Sequence, residues 1–225
     1  SLQSITLPES LTSIGAYAFH NVDGLTGVEL PAGLKSIGNS AFAESAGITG
    51  IKTSGALTSL GGSAFQNCIG LKRVDLSEST GLTAISGYAF SGCSGLSEVK
   101  LPETLTTIYA YAFQSCTSLE GIVLPNSITT MSGRAFYNCT KLSSVNFPAN
   151  WSTTLSRYDS GSDSDSYYMS PFVGCSSLKN MVVPEGVTAI PKHAFRDLSA
   201  LSSISLPESL TSIGAYAFYN TSGLK

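Results

Sequence analysis

One thirteen-residue segment, LPESLTSIGAYAF, occurs twice without change, at residues 7–19 and 206–218. Weaker copies fill the chain between. Aligned on an opening leucine-type residue, the unit starts at Leu2, Leu25, Ile48, Leu71, Leu96, Leu119, Leu142, Leu178, Leu201 and Leu224. The spacing is 23 residues, except for a 25-residue unit from Leu71 and a 36-residue unit from Leu142. Such a period rules out an ordinary globular core. A coil of this size cannot bury its own apolar side chains, and only stacked neighbours can do it. The chain therefore reads as one solenoid over residues 1–225, with nine full coils and a tenth begun.

The unit, L-x-x-I-x-L-P-x-x-L-T-x-I-G-x-x-A-F-x-x-C-x-x, is a leucine-rich repeat by its period and its Leu and Ile offsets. Alternation at Ile5-Thr6-Leu7 predicts a short parallel strand with one face buried. Pro8 and its equivalents end that strand, because proline has no N–H for a ladder. Leu11 and Ile14 make a second extended piece, and Gly15 supplies a turn. Phe65, Cys68 and Leu71 lie three apart, which predicts a short helical turn with one face inward. The expected class is α/β, a right-handed solenoid. Helical turns wider than strands would place the strand row on a concave side.

Stacking turns each slot into a ladder. Nine of the ten phenylalanines occupy one slot, from Phe19 to Phe218, and Phe147 replaces a strand leucine. All five cysteines, Cys68, Cys93, Cys116, Cys139 and Cys175, share another slot, which elsewhere holds Val22, Ser45, Leu198 and Thr221. They read as buried free thiols acting as small hydrophobes, without disulfides. There is no C-x-x-C pair, and no zinc site is expected. A net charge of −3 with 12% charged residues excludes the basic stripe of a nucleic-acid binder. No apolar run approaches the length of a membrane span.

Three units depart from the pattern. In the third, Thr53 and Ser54 replace leucine and proline; the fourth carries two extra residues around Ser77–Gly81; both read as drift. In the seventh, thirteen residues are inserted, most economically within Leu155–Tyr168, while Trp151 falls on a core leucine slot. Insertions in repeat proteins map to loops and often to binding faces. The insertion collects Arg157, Tyr158, Tyr167 and Tyr168, our candidate partner contacts. Its Asp159, Asp163 and Asp165 could gather calcium, but the spacing lacks an EF-hand's glycine and final glutamate. Near-identical first and last units suggest a fragment of a longer array, whose ends could associate head to tail.

Tyr17, Tyr88, Tyr111 and Tyr216 share a slot with Ser40, Ser63, Arg134 and His193, so that slot should be exposed. On the outward strand slot, Glu29, Lys52, Asp75 and Lys100 alternate in sign, so this half of the face should neutralise itself. His20 and His193 sit in distant coils, and no catalytic motif occurs. No enzyme activity and no cofactor is expected.

The unit from Leu96-Ser97-Glu98-Val99-Lys100-Leu101-Pro102 through Ala112-Phe113 to Cys116 resembles the BspA-like (Treponema-type) leucine-rich repeat in every coil outside the insertion. That resemblance implies a secreted or cell-surface protein of an anaerobic bacterium. It implies adhesion to a protein or glycan ligand, for example a host matrix protein. The alternative is a passive spacer that presents another module. The family brings no shared binding residues to assign.

Overall fold

The structure is a computed structural model that describes residues 2–155 and 169–225. Each coil contributes one short strand to each of two rows. The first row holds β1 (Ser4–Ile5), β3 (Gly27–Val28), β5 (Gly50–Lys52), β7 (Arg73–Asp75), β9 (Glu98–Lys100), β11 (Gly121–Ile122), β13 (Ser144–Val145), β15 (Asn180–Val182) and β17 (Ser203–Ser205). The second holds β2 (Ser13–Ile14), β4 (Ser36–Ile37), β6 (Ser59–Leu60), β8 (Ala84–Ile85), β10 (Thr107–Ile108), β12 (Thr130–Ser132), β14 (Thr153–Leu155), β16 (Ala189–Ile190) and β18 (Ser212–Ile213). All pairings are parallel and one repeat apart, as in Ile5↔Val28, Val74↔Val99 and Ile108↔Met131. The repeat register read from the sequence is therefore the register of the fold.

The two copies of LPESLTSIGAYAF isolate what stacking does. Ile14, with a coil packed against its far side, is 5% exposed, while its counterpart Ile213 is 52% exposed. Local sequence is identical, so the neighbouring coil alone buries the side chain. In the middle of the array, Phe42, Phe65, Phe90, Phe113 and Phe136 are fully buried, and successive rings stack with centroids 5.1–5.6 Å apart. That spacing lies inside the favourable range for offset stacking.

No helix forms among the described residues, which corrects the expected helical turn. Instead, fifteen non-glycine residues adopt φ between 53° and 65°, and all fall in two slots. One slot is that of Tyr17, Ser40, Ser63, Tyr88, Tyr111, Arg134, His193 and Tyr216. The other, four residues on, is that of Asn21, Glu44, Asn67, Ser115, Asn138, Asp197 and Asn220. A left-handed residue cannot continue a right-handed helix. It fits the third position of a turn, and the N–H of Ala41 reaches the Gly38 carbonyl, that of Ala43 reaches Ser40, and that of Ser45 reaches Phe42. Consecutive turns close every two or three residues, which explains the helix-like spacing of Phe65, Cys68 and Leu71.

The N–H groups between those turns point to the next coil. Tyr17, Phe19 and Asn21 donate to the carbonyls of Asn39, Ala41 and Ala43 at 3.0, 2.7 and 2.8 Å. The turn side is thus laced from coil to coil as tightly as the strands, and the wide helical layer that would splay the coils is missing. Each left-handed L-residue costs about 1–2 kcal/mol, offset here by hydrogen bonds that a helix would have kept within one coil. The glycines after the second strand serve this close approach and adopt no left-handed turn. A Cβ at Gly38 would lie 2.5 Å from the Ala16 nitrogen, and one at Gly61 the same distance from the Asn39 nitrogen.

The cysteine slot is a donor slot. The thiols of Cys68, Cys93, Cys116, Cys139 and Cys175 point at the carbonyls of Phe42, Phe65, Phe90, Phe113 and Phe136 at 2.9–3.3 Å. Ser45 and Thr221 donate from the same slot to Phe19 and Phe195. The thiols are free and buried as expected, but they do more than fill space. Burial pushes Cys68 up to about 12, and Cys93 and Cys116 also well above the ordinary thiol value.

Regularity fails between the seventh and eighth coils. Neither β13 with β15 nor β14 with β16 forms a ladder. The Phe147 and Trp151 side chains, 2% and 3% exposed, enter the core here, with Trp151 at 6.4 Å from both Phe172 and Phe195. Trp151 is a core residue, as its slot predicts, and its indole N–H donates to the Thr153 carbonyl. On the turn side the Ser170 hydroxyl spans the widened step, accepting from the Phe172 N–H at 3.1 Å and donating to the Ala194 carbonyl at 2.7 Å. Leu198, the apolar member of the cysteine slot that follows, stands at this separated step.

Candidate functional site

The first strand row is interrupted at two further steps, β3 to β5 and β9 to β11, where the strands still lie side by side. Over β3 to β9 an open groove of about 770 Å³ runs across the face, lined by Glu29, Gly50, Lys52, Arg73, Glu78 and Lys100 among others. Gly50 leaves its strand without a side chain in the lining of that groove. A glycine inside a strand pattern marks such an approach site, and that signal was present in the sequence.

The irregular third and fourth units turn out to be one feature, a correction to reading them as drift. Thr53 is buried where a leucine belongs, and its hydroxyl meets that of Ser79 from the two-residue insertion at 2.6 Å. Ser79 also donates to the Ser54 carbonyl, and Ser54 to that of Ala32. A buried hydroxyl left alone costs about 1–3 kcal/mol, and here the two hydroxyls meet each other with the Asp75 and Ser54 carbonyls as further acceptors. Together they fix Glu78 at the groove's rim.

Charges on the rim are largely paired: Asp75 with Lys100 as the alternating pattern implies, whereas Lys52 takes Glu78 instead of a strand neighbour. Lys52 bonds Glu78 at 3.3 Å, while Lys100 lies 3.7 Å from both Asp75 and Glu98. The Asp75 carboxylate accepts from the Ser77 hydroxyl at 2.6 Å, and this bond, ahead of the nearby lysines, lowers its pKa. Arg73 is exposed and has no ion-pair partner among the described residues. It stands in register between Gly50 and Glu98 and is the groove's available cation.

The opposite, turn side carries a row of aromatic and cationic groups. Tyr88 stacks on Tyr111 at 4.9 Å, and the Arg134 guanidinium donates to the Tyr111 hydroxyl at 3.0 Å while lying over Tyr137. Further along, Arg196 lies over Tyr216 and Tyr219. Tyr17, Tyr88 and Tyr216 are exposed as their slot predicts, whereas Tyr111, stacked on Tyr88 and bonded by Arg134, is half-buried. His193 is not, and this corrects its reading as an exposed residue: it is fully buried, stacked on Tyr216 at 5.3 Å. His20 lies beside Tyr17 in the first coil, so the two histidines cannot share a site.

Arg157, Tyr158, Tyr167 and Tyr168, and the acidic trio Asp159, Asp163 and Asp165, lie outside the described residues. Among those described, no group of His, Cys, Asp or Glu is arranged to hold a metal ion. No helix among them is long and apolar enough to cross a membrane.

Stacked parallel coils, a phenylalanine ladder and an open strand face define a repeat-solenoid scaffold. The sequence profile of the BspA type leucine rich repeat region matches residues 1–82, 79–159 and 165–225, and the chain belongs to that family. Among solved structures it is similar to a leucine-rich repeat protein from Bacteroides ovatus, at 25% identity and a TM-score of 0.63. That match covers 97% of this chain and 58% of the other, so the chain spans well under two thirds of that relative's length. The T. pallidum leucine-rich repeat protein matches at 24% identity and a TM-score of 0.56, covering 99% of this chain and 78% of that one. The pneumococcal vaccine antigen PcpA matches at 23% identity and a TM-score of 0.50, over 92% and 51%. A search of curated protein sequences returned no match.

Proposed function

We propose that this chain is a non-catalytic binding scaffold, secreted or displayed at the cell surface, whose strand face engages a protein ligand such as an extracellular matrix protein. The observation that carries this reading is the groove over β3 to β9. Two departures from the repeat, Thr53 with Ser54 and the Ser77–Gly81 insertion through Glu78, border it beside Gly50, and Arg73 offers its cation there. Interfaces draw much of their energy from a few arginine and aromatic anchors. Surface display is carried over as a proposal from the family and from a relative described as a vaccine antigen.

The test is surface plasmon resonance of the purified chain over immobilised fibronectin and other matrix proteins, with a glycan array in parallel. Replacing Arg73→Glu should weaken protein binding about tenfold, the effect of roughly 1.4 kcal/mol, without altering the melting temperature. Binding that ignores Arg73→Glu would remove the groove from the site. A glycan-only signal would change the ligand class, and silence on every surface would leave a spacer.

A further inference from the structure

The cleft between β13 and β15 is a second opening on the strand face, separate from the groove over β3 to β9. It measures about 360 Å³ and is lined by Ser143, Ser144, Val145, Asn146 and Phe147 on one side and Asn180, Val182 and Pro184 on the other. At regular steps the incoming coil donates here, as Lys72 does to the Thr49 carbonyl and Ser143 to that of Glu120. The equivalent groups at this step, the N–H groups of Lys179 and Asn180 and the Ser143 carbonyl, form no such bond among the described residues. Two parallel strand edges therefore face each other without a ladder between them.

The opening is built into the core. Phe147 packs on Trp151 at 5.1 Å and on Phe195 at 6.3 Å, and these rings occupy the space where Phe172 and Phe195 would otherwise stack. Ser170 spaces the turn side by one hydroxyl. Collapse would need both wedges removed, so the cleft is preformed. The Asn146 carboxamide is committed to the sixth coil, where it accepts from the Leu124 N–H at 2.7 Å and donates to the Leu124 carbonyl at 2.8 Å, so it does not pair across the cleft. At the rim of the cleft, Val182 is 65% exposed in the outward slot. Main-chain donors and acceptors along two edges, with an exposed apolar side chain beside them, suit one ligand class.

We propose that the cleft between β13 and β15 receives an extended peptide segment of a partner protein, which completes the interrupted row as an added strand. Main-chain hydrogen bonds then supply affinity, and Val182 reads a side chain of the segment. This site stands whether or not the groove over β3 to β9 binds anything, since the two share no residue.

The probe is the repeat's own strand, a blocked peptide with the sequence of residues 201–207, LSSISLP. Hydrogen exchange followed by NMR should show the Asn180 and Val182 amides slowed about tenfold at saturating peptide, while the Val74 amide in β7 is unchanged. The same peptide N-methylated at alternate residues should give no protection. Replacing Val182→Asp, at an exposed position, should weaken peptide binding by about tenfold and leave melting unchanged. Unmoved exchange at Asn180 and Val182, equal protection by the N-methylated peptide, or protection by a panel of oligosaccharides would each overturn the proposal. If Val182→Asp fails to fold, the contrast between the two peptides on the parent chain decides the matter alone.

Discussion

The step from the fourth coil to the fifth and the step from the seventh to the eighth begin from the same repeat and end differently. At the first, Phe90 stacks on Phe113, the Phe90 N–H bonds the Ala112 carbonyl, and the Cys116 thiol bonds the Phe90 carbonyl. At the second, ring stacking gives way to Phe147 and Trp151, the main-chain bond passes through Ser170, and the donor slot holds Leu198. The difference teaches which interactions make the array one body. Each regular step is held at the turn side by a ring, a ladder of N–H donors and a side-chain donor at once, whereas the widened step has lost the ring and the side-chain donor and keeps, among the described residues, one direct turn-side main-chain bond, from the Ser170 N–H to the Arg196 carbonyl at 3.3 Å. In a solenoid, stability is close to a sum of such nearest-neighbour terms, so the interfaces should not be equally strong.

The largest contrast should come from the ring ladder. Replacing Phe113→Ala removes a fully buried ring stacked on both sides and should cost about 3–5 kcal/mol in a denaturant titration. Replacing Tyr111→Ala, a half-buried ring in the left-handed slot of the same coil, should cost about 1 kcal/mol or less. Equal losses would mean that the inward and outward assignments are wrong. Next in size is Ser170→Ala. It strands the Phe172 N–H and the Ala194 carbonyl in a buried site, at about 1–3 kcal/mol, whereas Ser94→Ala on an ordinary step should be nearly silent.

Cys116→Val tests the donor slot and should cost about 1 kcal/mol, with Cys116→Ser closer to the parent. If valine and serine behave alike, the slot is a packing position and nothing more. The smallest effect is in alkaline solution. A folded thiol held up to about 12, against 9.0 unfolded, keeps its proton in the folded state after the unfolded chain has lost it. The Cys68 contribution is therefore fully present below about pH 9 and lost as the pH rises toward 12. Cys68→Ser should flatten that part of the stability profile.

What could be read in the sequence follows from how often a slot repeats. Phe19 to Phe218 and the cysteines recur often enough that their burial follows without a structure, and Trp151 inherits its place from the leucines it replaces. The turn geometry was harder for a physical reason. Positive φ is announced by glycine or asparagine, and one slot did carry Asn21, Asn67, Asn138 and Asn220 with Gly92 and Gly174. The other slot hides the same conformation under tyrosine, arginine and histidine, residues whose side chains give no such sign. Period three then looked helical because consecutive turns share that spacing. Ser45 and Thr221 in the cysteine slot were a legible hint of hydrogen bonding that a reading by volume passes over. Gly50 likewise hinted at the groove. The coupling of Thr53 to Ser79 was beyond reach, since it links two units through a contact that the repeat itself does not contain.

Native-state hydrogen exchange compares the two kinds of interface most directly. The Phe42 and Phe195 amides are equivalent: each lies one coil inside an end of this chain, and each bonds the alanine carbonyl of the following coil at 2.8 Å. They differ in the step that separates them from the central coils. The widened step should let the last two coils open on their own, so that the Phe195 amide exchanges at least about tenfold faster than the Phe42 amide, a gap of roughly 1.4 kcal/mol. Equal protection at the two positions would contradict a weak interface between the seventh and eighth coils, and with it the view that ring, ladder and donor slot set the strength of each step.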